Sequence, residues 1–390
     1  DTAIYGVASI LSRSVALLTF PLLARHFSIE EYGLVDLFYL LTTLLVTLLT
    51  FGQESAIFRY YHEEEDYESR CRLITQSLTM QLGISTGVLF LLWIFNELMT
   101  EYLGYTSEIN RLLNVVLLTV PFGIIYVNAQ AILRLTFERF QFLVLSLGLT
   151  VTMLIVVLIA TTAQGSDILL LFQLYLLAWI FFGFLSLWFI RKWLIRPSNL
   201  WVSKRMALYG VPMGIIVLIG SGQPFLERLI ATEVINPEAL GLYAAATKVA
   251  MLITLLVGAF QSAFGPFLMS TYKNRDAIRS FNLLLKVLMT GLSIAVLILA
   301  AFGDSILVLL AGERYIGGSV IIFPLAIAIF IKSIGMLLGV GTILAHKTYI
   351  RLIIYAISLA VGLFTMIFLA GIFGIAGIAI GAIMSSSIML

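Results

Sequence analysis

Arg13, Lys248 and Lys332 are cations set inside long apolar stretches. A charged side chain at mid-membrane costs about 2.5–3.5 kcal/mol on insertion scales, so each must face a protein interior or a wet cavity. A cation held there is suited to an anion such as phosphate, because charge-assisted hydrogen bonds are roughly twice as strong as neutral ones. Arg13 shares a helical face with Ser9, Ser12, Ala16 and Thr19. Lys332 shares one with Ala328, Gly335, Gly339, Thr342 and His346, and Lys248 with Gly241, Ala244 and Ala245. A structural reading stands beside each: Arg13 paired to a carbonyl or an acid, Lys332 snorkelling from a glycine-packed helix, Lys248 buried within a lobe. Arg59 and Arg134 are further members of a candidate cationic site. They also read as interfacial anchors, as do Glu138 and the pair Glu227 and Arg228.

Asp36, Tyr39, Thr43, Thr47, Thr50 and Glu54 recur every three or four residues and should line an interior. Asp36 and Glu54 are the acids on that stripe, which makes them the candidates for coupling to H⁺ or Na⁺. Pro21, Pro212 and Pro224 each remove a helical hydrogen bond, and their places in the first and seventh spans suit hinges or static kinks. The acidic run Glu63 to Asp66 reads as a solvated loop, and Gln53 and Gln223 suggest no chemistry.

Catalysis is not indicated. No span carries a paired-carboxylate, Ser-His-Asp or nucleotide-binding constellation, and no loop is long enough for a soluble catalytic domain. One cysteine, Cys71, excludes an internal disulfide, and with three histidines it leaves too few ligands for structural zinc. No cofactor or metal is expected. A net charge of +2 suggests no nucleic-acid partner.

The elements that must position these residues follow from composition. The chain of 390 residues is 61% hydrophobic and 11% charged with mean hydropathy +1.07, where soluble domains carry about 25% charged residues. It is therefore an all-α polytopic membrane protein. Apolar spans fall at 4–24, 33–58, 73–96, 112–133, 141–163 and 168–190, then at 206–226, 239–269, 281–302, 318–345, 350–370 and 372–390. These divide into an N-terminal lobe (1–191), a basic connector (192–205) and a C-terminal lobe (206–390). The segment Asp304 to Gly312 is too short to cross and reads as part of a re-entrant or interfacial loop. Both ends of the sequence read as trimmed. Loops after even spans hold fifteen Lys and Arg, whereas those after odd spans hold only Arg25, Arg111, Arg228 and Arg314. The positive-inside rule then places the N-terminus and the connector in the cytoplasm.

Laying the second half on the first matches Tyr5-Gly6-Val7 with Tyr209-Gly210-Val211, and Pro21 falls within one position of Pro224. At an offset of 208 or 209, Gly33-Leu34 matches Gly241-Leu242, Phe51 matches Phe260 and Phe58 matches Phe267. Two similar six-helix lobes result, related by an axis along the membrane normal.

Tyr5-Gly6, Ser12-Arg13, Pro21-Leu22-Leu23-Ala24-Arg25, Ile29-Glu30-Glu31-Tyr32-Gly33-Leu34 and Gly241-Leu242-Tyr243 with Lys248 resemble Wzx-type polysaccharide flippases. These belong to the multidrug/oligosaccharidyl-lipid/polysaccharide (MOP) exporter superfamily. The resemblance implies a MATE-like pair of lobes around a central cationic cavity. Its implied activity moves an undecaprenyl-diphosphate-linked oligosaccharide, an O-antigen, capsule or exopolysaccharide unit, to the outer leaflet of the cytoplasmic membrane by alternating access. Implied partners are the glycan lipid, membrane lipids and a polysaccharide polymerase or other assembly proteins; a monomer suffices. An ion-coupled organic-cation antiporter is the alternative, disfavoured because the first span has Arg13 and no carboxylate. A lipid II flippase is a second, disfavoured by twelve spans and no further arginine before Arg25. A scaffold or glycan polymerase is a third.

Overall fold

Apolar segments of this length must satisfy their own backbone hydrogen bonds, which leaves the helix as the open choice. The computed structural model describes residues 15, 17–103, 107–163, 165, 167–197, 200–258, 260, 276–338 and 348–390, and among them there are helices and no strands. Helix α1 covers 17–26. It is followed by α2 (Ile29–Thr50), α3 (Gln53–Tyr61), α4 (Tyr67–Leu103), α5 (Ser107–Leu135), α6 (Arg139–Thr162) and α7 (Ile168–Ile190). A 3₁₀ turn, Arg191–Trp193, leads to α8 (Leu200–Ile230), which ends in a π-helical turn, Ala231–Ile235. Then come α9 (Pro237–Ala250), a short α10 (253–258), α11 (Asp276–Ala311), a 3₁₀ segment (Glu313–Ile321), α12 (Ile322–Leu338), α13 (Thr348–Phe373) and α14 (Ile375–Ile388). Nine of the described helical segments are long and apolar enough to cross a membrane, and α14 is a shorter apolar helix.

Side chains close several helix starts. Ser28 and Glu31 form a reciprocal capping box at α2, with Ser28 N–H donating to Glu31 Oε2 at 2.8 Å and Glu31 N–H to Ser28 Oγ at 3.1 Å. Asp167 accepts from Leu170 N–H at 2.7 Å to start α7, and Asn236 does the same for Ala239 N–H, at 2.7 Å, to start α9.

Packing divides the chain into two compact units, one of 1–37 with 226–390 and one of 38–225. In the second unit α5 packs on α4, α6 and α7, with Gly183 against the Phe122 ring. In the first, α14 packs on α12 and α13, where Gly381 admits Met366 and Gly377 admits the Leu369 carbonyl.

Three sequence expectations need correction. The span drawn over 33–58 is two helices: the chain breaks at Phe51 (φ 29°) and Gly52 (φ 71°). A side chain at Gly52 would lie 2.1 Å from the Gly210 carbonyl oxygen, so glycine alone satisfies both the left-handed backbone and the close approach of α8. Glu54 therefore leaves the register of the Asp36 stripe. The span over 239–269 is interrupted by a turn at 251–252. Asp304 to Gly312 forms no separate loop, because α11 continues unbroken to Ala311. The acidic run Glu63 to Asp66 is an exposed loop as expected, and Arg205 forms partly exposed ion pairs with its Glu63 and with its Glu64, the latter at 3.4 Å.

Candidate functional site

Gly33 of α2 and Gly241 of α9, matched by the repeat alignment, touch each other. A Cβ on Gly33 would sit 2.7 Å from Gly241 N, and one on Gly241 would sit 1.9 Å from the Ile29 carbonyl oxygen. Two helices meeting backbone to backbone bring their next turns within reach of short side chains. One turn along α2 is Asp36, and on α9 the facing residues are Tyr243 and Lys248. The end of α8 adds Glu227 and Arg228.

These five residues form one ionic network. Arg228 Nε donates to Asp36 Oδ2 at 3.0 Å, and its Nη1 lies 3.5 Å from Glu227 Oε2. Lys248 Nζ lies 2.8 Å from Asp36 Oδ1, so Asp36 is held by a cation on each oxygen. Tyr243 OH donates to Glu227 Oε2 at 3.1 Å, and its ring lies 5.1 Å from the Arg228 guanidinium carbon. The side chains of Arg228, Asp36 and Glu227 are 1%, 2% and 9% exposed, whereas that of Lys248 is 28% exposed. Two carboxylates balance two cations, and burial at this depth is tolerable only with that balance. Lys248 is the member with a face left open.

Two arginines clasp the same end of this unit. Arg25 donates to the Leu309 and Leu310 carbonyls, at 2.5 and 3.3 Å, at the close of α11. Arg314 donates to the carbonyls of Ala24 and of Phe27, the latter at 2.5 Å, at the close of α1. Each supplies a cation where a helix leaves unpaired carbonyls.

The structure thus brings Asp36 and Lys248 together and joins to them Glu227 and Arg228, which the sequence suggested only as anchors. Lys332, on α12, is half-buried and forms no ion pair among the described residues. Tyr39 and Thr43 of the stripe are exposed, while Thr50 is buried and donates to the Thr47 carbonyl at 2.9 Å. Pro212 and Pro224 lie inside α8, and Pro21 lies within α1. Arg13, Ser9 and His346 lie outside the described residues.

In the second unit, Arg59 stacks over the Tyr209 ring at 4.5 Å and lies 3.6 Å from Glu63, while Arg134 donates to the Gln130 carbonyl at 3.3 Å. Glu54 is half-buried on α3. A neutral network missed in the sequence crosses the core here. Gln81 and Asn128 exchange side-chain amide bonds at 3.0 and 2.9 Å, Gln81 also donates to Ser77 at 3.0 Å, and Ser77 donates to Gln53 at 3.3 Å. It ties α3, α4 and α5 together with every amide engaged, so its role is positioning.

Known proteins can be set against this geometry. Lsg locus putative protein 1 of Haemophilus influenzae is 22% identical over 395 residues, covering 94% of this chain and 92% of that protein. Among solved structures, the lipid II flippase MurJ in an inward closed conformation aligns at TM-score 0.79 and 16% identity, over 99% of this chain and 86% of that one. A multidrug resistance MATE transporter of the MOP superfamily, in an inward-facing conformation, aligns at TM-score 0.77 and 14% identity, over 97% and 92%. These two share their all-helical membrane fold with this chain. Residues 1–272 match the family described as polysaccharide biosynthesis protein, and the chain belongs to that family.

Proposed function

We propose that the protein is a flippase carrying an undecaprenyl-diphosphate-linked oligosaccharide from the cytoplasmic to the outer leaflet by alternating access of two six-helix lobes. The observation that carries this reading is the match of residues 1–272 to the polysaccharide biosynthesis family on a chain with a MOP-type transporter fold. A protein of glycan assembly built almost wholly of membrane helices has transport as its natural task.

In this reading Arg13, Lys248 and Lys332 attract the diphosphate or acidic sugars into a wet cavity. Lys332 supports it by lacking an ion pair among the described residues, and Lys248 by keeping an open face. If Lys248 turns from Asp36 to a phosphate oxygen, Arg228 is left against two carboxylates. A proton or Na⁺ taken up at Asp36 restores neutrality, which would couple cargo to an ion. Arg59 and Arg134 add positive potential, and Glu54 is a second coupling acid. The protein acts as a monomer in the cytoplasmic membrane with its N-terminus inside, alongside a polysaccharide polymerase or other assembly proteins.

The test is binding of a fluorescent polyprenyl-diphosphate oligosaccharide to the detergent-solubilised protein. Wild type should bind it, Lys332→Ala should bind about tenfold more weakly, and the polyprenyl monophosphate analogue should compete poorly. Preferential binding of an organic cation would favour the antiporter, and preferential binding of lipid II would favour that cargo instead.

A further inference from the structure

A second surface, remote in the sequence from the ionic network, has the chemistry of a binding site. Where α6 begins and α7 ends, Phe140, Gln141, Trp188, Phe189, Arg191 and Lys192 line an open pocket of about 400 Å³. Its lining combines three aromatic rings with two cations. Phe140 and Trp188 are 74% and 59% exposed, so two large rings of the lining are largely open to the surroundings. The Arg191 guanidinium lies 3.7 Å from the Trp188 ring centroid and forms no ion pair among the described residues. Lys192 is engaged differently: its ammonium meets Glu138, and its backbone carbonyl accepts from Tyr67 OH at 2.6 Å. The second contact fixes the turn after α7 in place. Glu138 neutralises Lys192, and Arg191 remains the cation available to a ligand.

We propose that this pocket holds an anionic phospholipid of the surrounding leaflet, its phosphate on Arg191 and the upper part of one acyl chain along Trp188 and Phe140. The argument is one of charge and position. Both helices are membrane spans, Arg139–Thr162 and Ile168–Trp193, and the pocket lies at their shared end, where the basic stretch through Arg196 begins. A ligand there meets aromatic rings carried by the two spans and, just past the end of α7, a guanidinium. A diacyl lipid with a net negative headgroup has both features, whereas a free phosphate would leave the rings exposed and a zwitterionic lipid would oppose Arg191 with its own cation. Arginine adds a planar donor fork that matches phosphate oxygens, which a lysine does not. The site is independent of the cargo and of the proposed transport function.

Trp188 reports occupancy directly. The full chain is reconstituted in zwitterionic nanodiscs doped with phosphatidylglycerol or phosphatidylcholine brominated near the top of the acyl chain, and tryptophan quenching is followed against dopant fraction. Trp188→Phe isolates the contribution of that ring from the other four tryptophans. The proposal expects a Trp188-specific component quenched at low mole fraction by the anionic dopant and only in proportion to its bulk fraction by the zwitterionic one. Arg191→Ala should raise the anionic fraction for half quenching about fivefold, the expectation for one basic residue near an anionic surface, and Arg191→Lys should fall between. Equal quenching by the two dopants would overturn the proposal, and so would an unchanged half-point in Arg191→Ala. Protection of Trp188 by millimolar inorganic phosphate would identify a free-anion site and also overturn it. Should Arg191→Ala fail to give a monodisperse protein, the wild-type contrast between the two dopants still decides.

Discussion

Replacing Arg228 by methionine removes the one cation that touches both acids of the buried network. Methionine keeps the unbranched stem, so packing changes little and charge changes by one. Asp36 would retain Lys248, whereas Glu227 would lose its charged partner Arg228 and retain the neutral Tyr243 hydroxyl. Breaking a buried pair by removing one partner costs about 3–5 kcal/mol, and with Arg228 only 1% exposed solvent screening gives little relief. Lys248→Met should cost less, about 1.5 kcal/mol, because Arg228 still holds Asp36 and the lysine is 28% exposed. Charge balance gives the discriminating arm: Glu227→Gln combined with Arg228→Met leaves the neutral Asp36–Lys248 pair and should recover more than half of the loss. Reversible unfolding in mixed micelles measures all four proteins. Equal costs for Arg228→Met and Lys248→Met, or a double variant no better than Arg228→Met alone, would refute the reasoning.

Other expected outcomes are more local. Gly52→Ala should destabilise by at least about 2 kcal/mol, since it combines a left-handed φ with a 2.1 Å clash on Gly210, while Gly87→Ala, with nothing within 4 Å of its Cβ, should be neutral or stabilising by about 0.5 kcal/mol; thermal unfolding of both separates steric from propensity effects. Gln81→Leu strands the Asn128 amide and should cost about 1–3 kcal/mol in the same assay. Arg205→Ala breaks partly exposed ion pairs with Glu63 and Glu64 and should change stability by no more than about 1 kcal/mol, with far-UV circular dichroism unchanged.

The membrane class and most span positions were legible because apolar runs of bilayer length allow little else. Periodicity failed where backbone conformation outweighs it: nothing in the alternation of Asp36, Thr43, Thr50 and Glu54 reveals that Phe51 and Gly52 turn left-handed against α8. Gly33 and Gly241, aligned by the faint repeat, lie in contact with each other. Two of the five network residues were legible, because Asp36 and Lys248 stand out within apolar surroundings. Glu227 and Arg228 did not, lying at the edge of a predicted span where charges are ordinary, and Arg228 finds Asp36 across 192 residues of sequence. The Gln81–Asn128 network was equally hidden, since a single amide inside a span does not reveal its partner on another helix, here 47 residues away.

The most direct test of the transport claim is transbilayer movement of a fluorescent polyprenyl-diphosphate oligosaccharide in proteoliposomes, read as its accessibility to a membrane-impermeant quencher over time. The account predicts movement well above protein-free vesicles, slowed severalfold in Lys332→Ala and Lys248→Met. Movement equal to protein-free vesicles, in preparations that accumulate an organic cation against an ion gradient, would contradict it.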